Sequence, residues 1–398
     1  MVKRRVSLFG ATGSIGQSTV DLLKRHADKF EVVTVAANSR ATELAKIAID
    51  LSAQRAIVCD ESTIADLRYA LSGKNIEVSG GENALLEAAS EKVDLVIMAI
   101  SGAAGLRATF AAAETGADLA LANKESIVCA GNLLMRKLQA SRARLLPVDS
   151  EHNALFQILD GRDQSALQKV TLTASGGPFR NWSAEKIAAA TPEDALAHPV
   201  WNMGEKISID CATLINKGLE LIEAQHIFAL KPEQLDVLVH PQSTVHAFVS
   251  YSDGSVLAQM AKPDMRVAIS ACLSWPQRLA SGVESLDLAK LQSLTFEQPD
   301  LQKFPCLKLV RSVMQQGGAL PCILNAANEI AVSAFLRKAI GFNDIYRIIA
   351  ATLENTQTQS LQKAFVALED VLQTDRESRR IAASLLPYSE ANLQRAIA

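Results

Sequence analysis

The sequence predicts an α/β protein that begins with a doubly wound parallel sheet, continues through a central α/β domain and ends in a helical bundle. Three observations predict this. Short apolar runs alternate with helical stretches over residues 1–150. The run Val93–Ile100 is nearly continuous in its apolar character, as expected of a strand covered by helices on both faces. Apolar stripes at helical spacing then recur beyond residue 305.

Bulk properties narrow the class. A chain of 398 residues is too long for one ordinary core and is expected to divide into several domains. With 48% hydrophobic and 21% charged residues it has globular composition, and its formal charge of −3 gives no basic excess for a nucleic-acid partner. The six cysteines are scattered and include no Cys-x-x-Cys pair, which argues against a disulfide framework and a zinc site. Lys3, Arg4 and Arg5 precede too short an apolar stretch for a secretory signal, and the run Leu95–Leu106 is about half the roughly 20 residues of a membrane span. A cytoplasmic protein acting on a small molecule is expected.

In the first domain, placed at 1–150, the expected strands are Val6–Phe9, Val32–Ala36, Ala56–Cys59, Val93–Ile100, Leu119–Ala122 and Leu145–Val148. The first runs into Gly10-Ala-Thr12-Gly13-Ser14-Ile15-Gly16 and a helix ending near His26. Glycines there permit a tight turn and bring backbone N–H groups to a pyrophosphate, with the helix N-terminus adding its positive end. The spacing is G-x-x-G-x-x-G rather than the commoner G-x-G-x-x-G. Its position between a strand and a helix, with a second strand following, still reads as a Rossmann-type dinucleotide site.

The second strand selects the cofactor. An NAD site would follow it with an acidic residue for the ribose 2′-hydroxyl. Here Asn38, Ser39 and Arg40 follow, and an arginine among small polar residues suits a 2′-phosphate, hence NADPH. The alternative is that Arg40 only begins a solvated helix. Asn123, Lys124, Glu125 and Ser126 follow the strand Leu119–Ala122, placed either for ligand contact or as a helix cap.

The strand Leu145–Val148 ends in Asp149-Ser150-Glu151. In an extended segment Asp149 and Glu151 point to one side, and the carboxyl end of a strand is where open α/β sheets bind ligands. Two carboxylates without a nearby thiol suit Mg²⁺ or Mn²⁺, although Asp-x-Glu alone is commonplace and reads equally as a solvated loop.

The central domain is placed at 151–285, with strands expected at 169–174, 206–210, 236–239 and 245–250. The stretch 175–205 is the least regular. It begins with Ser175-Gly-Gly-Pro, holds a short helix opened by Thr191-Pro192, and reads as a lid or as a surface excursion. After it, Asn216 and Glu220 stack one turn apart on a helix with Lys217 beside them, which offers a third carboxylate together with an amide and an ammonium. Glu223 is one turn further on and is equally suited by spacing.

A connector is placed at 286–305 and a helical domain at 306–398. Its apolar stripes run through Ile323, Ala327, Ile330 and Ala334, then Ile345, Ile348, Ile349 and Leu353, and then Leu361, Phe365, Leu368 and Leu372. They read as core or dimer support rather than chemistry.

Taken together, GATGSIG at 10–16, ANKES at 122–126, LLPVDSEHNA at 145–154, SGGPFR at 175–180, HPVWNMGEKISID at 198–210 and NKGLE at 216–220 resemble the 1-deoxy-D-xylulose 5-phosphate reductoisomerase family. HPQS at 240–243, DGS at 253–255, PDMR at 263–266 and LNAANEIAV at 324–332 fit the same family. The resemblance spans nearly the whole chain in order. It implies conversion of 1-deoxy-D-xylulose 5-phosphate to 2-C-methyl-D-erythritol 4-phosphate by NADPH, a divalent ion and a homodimer.

The resemblance also assigns roles. Asp149, Glu151 and Glu220 match metal ligands, which demotes Glu223. Lys124, Ser150 and Glu151 match contacts to the sugar oxygens, and Ser175, Asn216 and Lys217 match the phosphate grip. His198 and Trp201 match lid residues closing over the substrate. Thr12, Gly13, Ser14, Ile15, Asn123 and Gly204 match cofactor contacts, to which the motif reading adds Gly10, Asn38, Ser39, Arg40 and Glu125. Two positions depart from the family: Cys211 stands where many members have a phosphate-side serine, and Asn38-Ser39-Arg40 replaces a Gly-Lys-Asn segment. Two other readings remain at this point, a different NADP-dependent dehydrogenase and a non-enzymatic NADPH-binding regulator.

Overall fold

Buried apolar runs build the first sheet. In a computed structural model that describes residues 2–159, 161–162, 164–201, 203–358 and 364–387, with side chains in the last three positions before 359 left aside, seven strands pair in parallel. They are β1 (Arg4–Phe9), β2 (Phe30–Ala37), β3 (Arg55–Val58), β4 (Glu77–Gly80), β5 (Leu95–Met98), β6 (Asp118–Leu121) and β7 (Leu145–Pro147). Their order is β4-β3-β2-β1-β5-β6-β7. The chain walks outward from β1 to one edge and returns to β1's other side at β5. This reversal opens a crevice at the carboxyl ends of β1 and β5, where such sheets bind ligands.

A second sheet holds β8 (Leu167–Ala174), β9 (Leu235–Val239), β10 (Val245–Tyr251) and β11 (Val256–Met260), in the order β11-β10-β8-β9. β8 and β9 run parallel, and the other two pairs are antiparallel. The α/β class and the helical C-terminal region agree with expectation. The helices there span Pro305–Gln316, Leu320–Leu336, Phe342–Thr358 and Leu368–Ser384.

Several expected elements need correction. β4 and β11 are short and largely polar or exposed, so hydrophobic periodicity gave no signal for either. Residues 206–210 are not a strand but part of the helix Glu205–Ala212. Ile207 and Ile209 alternate like strand residues, yet Lys206 and Asp210 pair one helical turn apart, 3.1 Å between them. The third apolar stripe is also displaced. Leu361 lies outside the described residues, Phe365 precedes the helix that starts at Leu368, and that helix buries Val371, Thr374, Asp375, Ser378 and Ile381.

The chain forms two compact units that interleave along the sequence. One comprises Met1–Ser126, Leu134–Phe156 and Asp264–Ser285; the other comprises Ile127–Leu133, Gln157–Pro263 and Leu286–Ala398. The segment 264–285 joins the first because Ile269, Cys272 and Leu273 enter the core beneath its sheet, while Arg4 donates to the Leu273 carbonyl at 2.9 Å. Burial there pushes the Cys272 thiol up to about 12, so it acts as an apolar filler. No described helix is long and apolar enough to cross a membrane.

Candidate active site

In the first unit the strand β1 ends at Gly10, whose φ of +89° lies in the left-handed region. A Cβ there would sit 2.4 Å from the Ala99 carbonyl oxygen, beyond the end of β5. Gly16 is tighter still, since its Cβ would meet the Gly10 oxygen at 2.2 Å. The two glycines therefore let the loop fold onto itself and onto the neighbouring strand end. The helix Ser14–Arg25 starts from Gly13 with no side-chain cap, so its first-turn amides face outward as anion donors. Thr12 is buried, while Ser14 is exposed and Ile15 half-buried at the same turn.

Asn38, Ser39 and Arg40 are exposed at the end of β2. Arg40 precedes the helix Ala41–Asp50 and pairs with Glu43 at 3.2 Å. Surface pairs one turn apart contribute at most about 0.5 kcal/mol, so this guanidinium can leave Glu43 for a better anion at small cost.

Asn123 does two jobs after β6. Its Oδ1 caps the helix Lys124–Ser141 by accepting from the Ser126 amide at 2.9 Å. Its Nδ2 donates to the carbonyls of Ile100 (2.7 Å) and Gly102 (2.9 Å) and to Glu125 (3.1 Å). The side chain thus ties the ends of β5 and β6 together, and it is spent on structure.

Beside it, Lys124 Nζ donates to Asp149 Oδ2 at 2.8 Å, with the lysine side chain nine-tenths buried. Asp149 ends the segment after β7, but Glu151 does not continue an extended strand. Ser150 and Glu151 form the first turn of the helix Ser150–Leu159, with the Asp149 carbonyl accepting from Asn153 N at 2.8 Å. A helix start, not an extended pair, therefore brings the two side chains together, with an oxygen of Asp149 and one of Glu151 within 4.8 Å of each other. Ser150 Oγ donates to Glu151 Oε2 at 2.5 Å. The carboxylates of Asp149 and Glu151 offer oxygens that suit a hard cation, the Lys124 ammonium already stands against Asp149, and the buried His152 ring beside Asp149 adds a nitrogen.

The second unit supplies a different kind of site. Ser175 follows β8, and Gly176 and Gly177 then adopt φ of +85° and +67°. The turn is fixed below by Phe179, fully buried between Trp182 (4.6 Å between centroids) and Phe342 (5.0 Å). Two short helices follow in the expected lid, Ala184–Ala188 and Pro192–Leu196, the latter opened by a capping box from Thr191 and Asp194.

His198 then closes on Ser175, with 2.8 Å between His198 Nε2 and Ser175 Oγ. Its Nδ1 accepts from the amides of Trp201 (2.9 Å) and Val200 (3.2 Å). A nitrogen that accepts twice carries no proton, which assigns Nε2–H as the donor to Ser175. Burial pushes the imidazole below its usual range, in agreement with a neutral ring. Trp201 lies tilted over His246 at 6.3 Å.

The helix Ile215–Ile227 begins from Leu214, which takes a left-handed φ of 60°. Its face carries Asn216, Lys217 and Glu220, all buried. Asn216 Nδ2 donates to Glu220 Oε1 at 2.5 Å, and Lys217 Nζ donates to Glu220 Oε2. A buried carboxylate held by an ammonium and an amide is again an oxygen ligand with cations at hand. Cys211 is half-buried in the preceding helix, and Gly204 caps that helix at φ −64° with open space where a Cβ would stand.

The predicted residues thus gather within each unit: the glycine loop, Asn123, Lys124 and Asp149 to Glu151 in one, and Ser175, His198, Trp201 and Asn216 to Glu220 in the other. Two residues that the motifs contained but that received no role are Asp210 and Asn328, which meet at 2.8 Å in the second unit. For Asn328 the signal was a polar residue inside a mostly apolar helical stripe; for Asp210, in the mixed segment EKISIDCA, there was none.

Family models match three stretches of the chain: 1-deoxy-D-xylulose 5-phosphate reductoisomerase over residues 6–131, its C-terminal domain over 145–228, and the DXP reductoisomerase C-terminal domain over 260–381. The reductoisomerase of Afipia carboxidovorans is 51% identical over 385 residues, covering 97% of this chain and 95% of that protein. That of Zymomonas mobilis is 48% identical over 383 residues, covering 96% and 98%. Among solved structures, the Zymomonas mobilis enzyme in complex with NADPH superposes with a TM-score of 0.90 at 47% identity, covering 96% of this chain and 99% of that one. A DOX-P reductoisomerase with NADPH, fosmidomycin and magnesium gives 0.91 at 41% identity, covering 96% and 98%. Matches of this identity along nearly the full length leave one conclusion: the chain belongs to the 1-deoxy-D-xylulose 5-phosphate reductoisomerase family.

Proposed function

We propose that the chain converts 1-deoxy-D-xylulose 5-phosphate to 2-C-methyl-D-erythritol 4-phosphate, oxidising NADPH with the help of Mg²⁺ or Mn²⁺, in the non-mevalonate route to isoprenoid precursors. The observation that carries the reading is the buried helix face with Asn216, Lys217 and Glu220, in a chain whose relatives are reductoisomerases. A simple dehydrogenase has no use for a buried carboxylate such as Glu220 beside a phosphate-sized set of donors.

In this reading the glycine loop Gly10–Gly16 takes the cofactor's pyrophosphate on the uncapped amides of its helix, and Arg40 exchanges Glu43 for the 2′-phosphate. Asn123, whose side chain is engaged, reaches the cofactor through its main chain.

Lys217, Asn216 and Ser175 hold the substrate phosphate, which carries roughly −1.5 to −2 charges at neutral pH. The hydroxyl of Ser175 accepts from His198 and from the Gly177 amide, which leaves its own proton for a phosphate oxygen. Phosphate binding remote from the reacting carbons supplies energy for orienting them. Asp149, Glu151 and Glu220 would hold the divalent ion, which when bound would stabilise negative charge on the sugar oxygens, an effect worth several kcal/mol. Lys124 Nζ, now donating to Asp149, turns to a substrate oxygen on which charge develops, while Ser150 and Glu151 orient the sugar hydroxyls. His198 and Trp201 cover the site so that the aldehyde formed by rearrangement meets hydride rather than water. The active form is a homodimer in the cytoplasm.

The test follows absorbance of the reduced cofactor with 1-deoxy-D-xylulose 5-phosphate and Mn²⁺. Oxidation abolished by EDTA is expected; oxidation indifferent to EDTA would remove the metal from the reading. Glu220→Gln is expected to lower kcat at least a hundredfold, on the scale of losing several kcal/mol of charge stabilisation. Unchanged turnover of this variant at saturating Mn²⁺ would remove Glu220 from the ligand set.

A further inference from the structure

We propose that Asp210, clasped by Asn328 and Lys206, is a positioning residue that sets the phosphate grip from behind. The inference rests on the reading of Ser175, Asn216 and Lys217 as that grip.

The helix Glu205–Ala212 connects the lid to the grip. Its N-terminus follows His198–Gly204, and its C-terminus leads through Thr213 and the left-handed Leu214 into the helix bearing Asn216 and Lys217. Thr213 locks that corner by donating to the carbonyls of Ile209 (3.2 Å) and Asp210 (3.1 Å) and accepting from Ile215 N (3.3 Å). The Ser175 turn rests on the same end: a Cβ on Gly177 would stand 2.7 Å from the Cys211 carbonyl oxygen. Displacement of this one helix therefore shifts Ser175, Asn216 and Lys217 together.

What fixes the helix is Asp210, only 1% exposed. Its carboxylate receives Asn328 Nδ2 at 2.8 Å and Lys206 Nζ at 3.1 Å. Asn328 sits in the helix Leu320–Leu336 among buried Leu324, Ala327 and Ala331, where an amide costs stability unless it bonds. The bond to Asp210 offsets part of that cost, while Asn328 Oδ1 stays buried without a hydrogen-bond partner among the described residues. Burial and the neighbouring Asp210 carboxylate push the Cys306 thiol up to about 12. A buried charge accepts few alternative positions, so the pair acts as a rigid peg between the helical bundle and the site.

Steady-state kinetics on the full-length enzyme, with inorganic phosphate as a competing probe, test the proposal. Asn328→Ala is expected to raise KM for the sugar phosphate, and the inhibition constant of inorganic phosphate, on the order of tenfold, since an ångström of misplacement costs up to about a hundredfold. Lys206→Met, which removes the more exposed partner and spares the core, is expected to raise both about threefold. The exchange Asp210→Asn with Asn328→Asp keeps one amide-to-carboxylate bond and is expected to restore most of the loss. If Asn328→Ala and Lys206→Met lower the melting temperature but leave both constants unchanged, Asp210 is structural only and the proposal falls. It falls too if the exchange recovers the melting temperature without the affinity. Should Asn328→Ala fail to fold, Lys206→Met decides alone. Lys217→Gln separates the underlying reading: no change in KM there removes the grip itself, whereas a rise there with unchanged Asn328 and Lys206 variants removes only the positioning.

Discussion

The two units carry proposed anion sites made of different material. In the first, the material is backbone: Gly10, Gly13 and Gly16 fold a loop whose amides and helix end would do the binding, with almost no side chain involved. In the second, it is side chain: Ser175, Asn216 and Lys217 stand on a turn and a buried helix face, and their charge and hydroxyl would do the binding. The difference has a chemical logic. A pyrophosphate bound by main-chain donors needs only shape, and shape is lost when a Cβ intrudes. A terminal phosphate bound by an ammonium needs charge, and charge must be held in place by a framework behind it.

That contrast predicts where steric substitutions hurt. Gly16→Ala places a methyl 2.2 Å from the Gly10 oxygen, a backbone atom that cannot step aside cheaply. Its dissociation constant for NADPH, read from nicotinamide fluorescence, is expected to rise on the order of a hundredfold. Gly204→Ala, at φ −64° with no protein atom within 4 Å of the new carbon, is expected to leave the melting temperature unchanged, so that any loss of NADPH affinity there reads a direct cofactor contact. If Gly16→Ala binds NADPH like the parent, the first site is not built from backbone shape.

Legibility in sequence divides along the same line. The first site is local: strand, glycine loop and helix lie within Arg4–Arg25, so the loop's place between strand and helix exposes it where its spacing alone would not. Asn216, Lys217 and Glu220 were also readable, because helical periodicity stacks them. Their joining to Ser175 and His198 was not, since a contact across 23 residues from Ser175 to His198 leaves no period. The family motifs supplied that link. Glu151 shows how a short-range rule fails. Extended geometry was assumed past β7, but the chain starts a helix at Ser150 instead. Residues 206–210 fail for the same reason in reverse, since a five-residue window of alternating isoleucines cannot distinguish strand from helix. Asp210 and Asn328, 118 positions apart, form a pair that only the fold reveals.

The side-chain site, unlike the backbone one, should respond to pH. His198 is held neutral by burial, and its Nδ1 accepts two amides. Its folded pKa therefore lies below the unfolded value near 6.5. Stability from this group is present above that value and is lost as pH falls through the folded pKa, because protonation puts a proton where two N–H groups already point. Following the His198 ring by NMR in the free enzyme, where no substrate phosphate titrates, is expected to give a midpoint below 6.5. Binding of 1-deoxy-D-xylulose 5-phosphate is expected to weaken several-fold over the same range. A midpoint at or above 6.5 would mean that the ring is solvated and that the lid contact is not formed in solution.

The smallest effect tests the one side chain that the backbone site does need. Arg40 has no shape to defend; it lies exposed and paired with Glu43, and Gln17 Nε2 holds the other oxygen of that carboxylate at 2.9 Å. Because Glu43 keeps Gln17, Arg40 can depart without leaving a bare charge behind. If it reads the 2′-phosphate, Arg40→Ala should raise KM for NADPH about three- to tenfold, the size of one partly solvated charge contact, and leave KM for NADH unchanged. Equal changes for the two cofactors would show that Arg40 only begins a helix. The 2′-phosphate would then be recognised by Asn38, Ser39 and the main chain, which would make the first site free of charged side chains and the contrast between the two units complete.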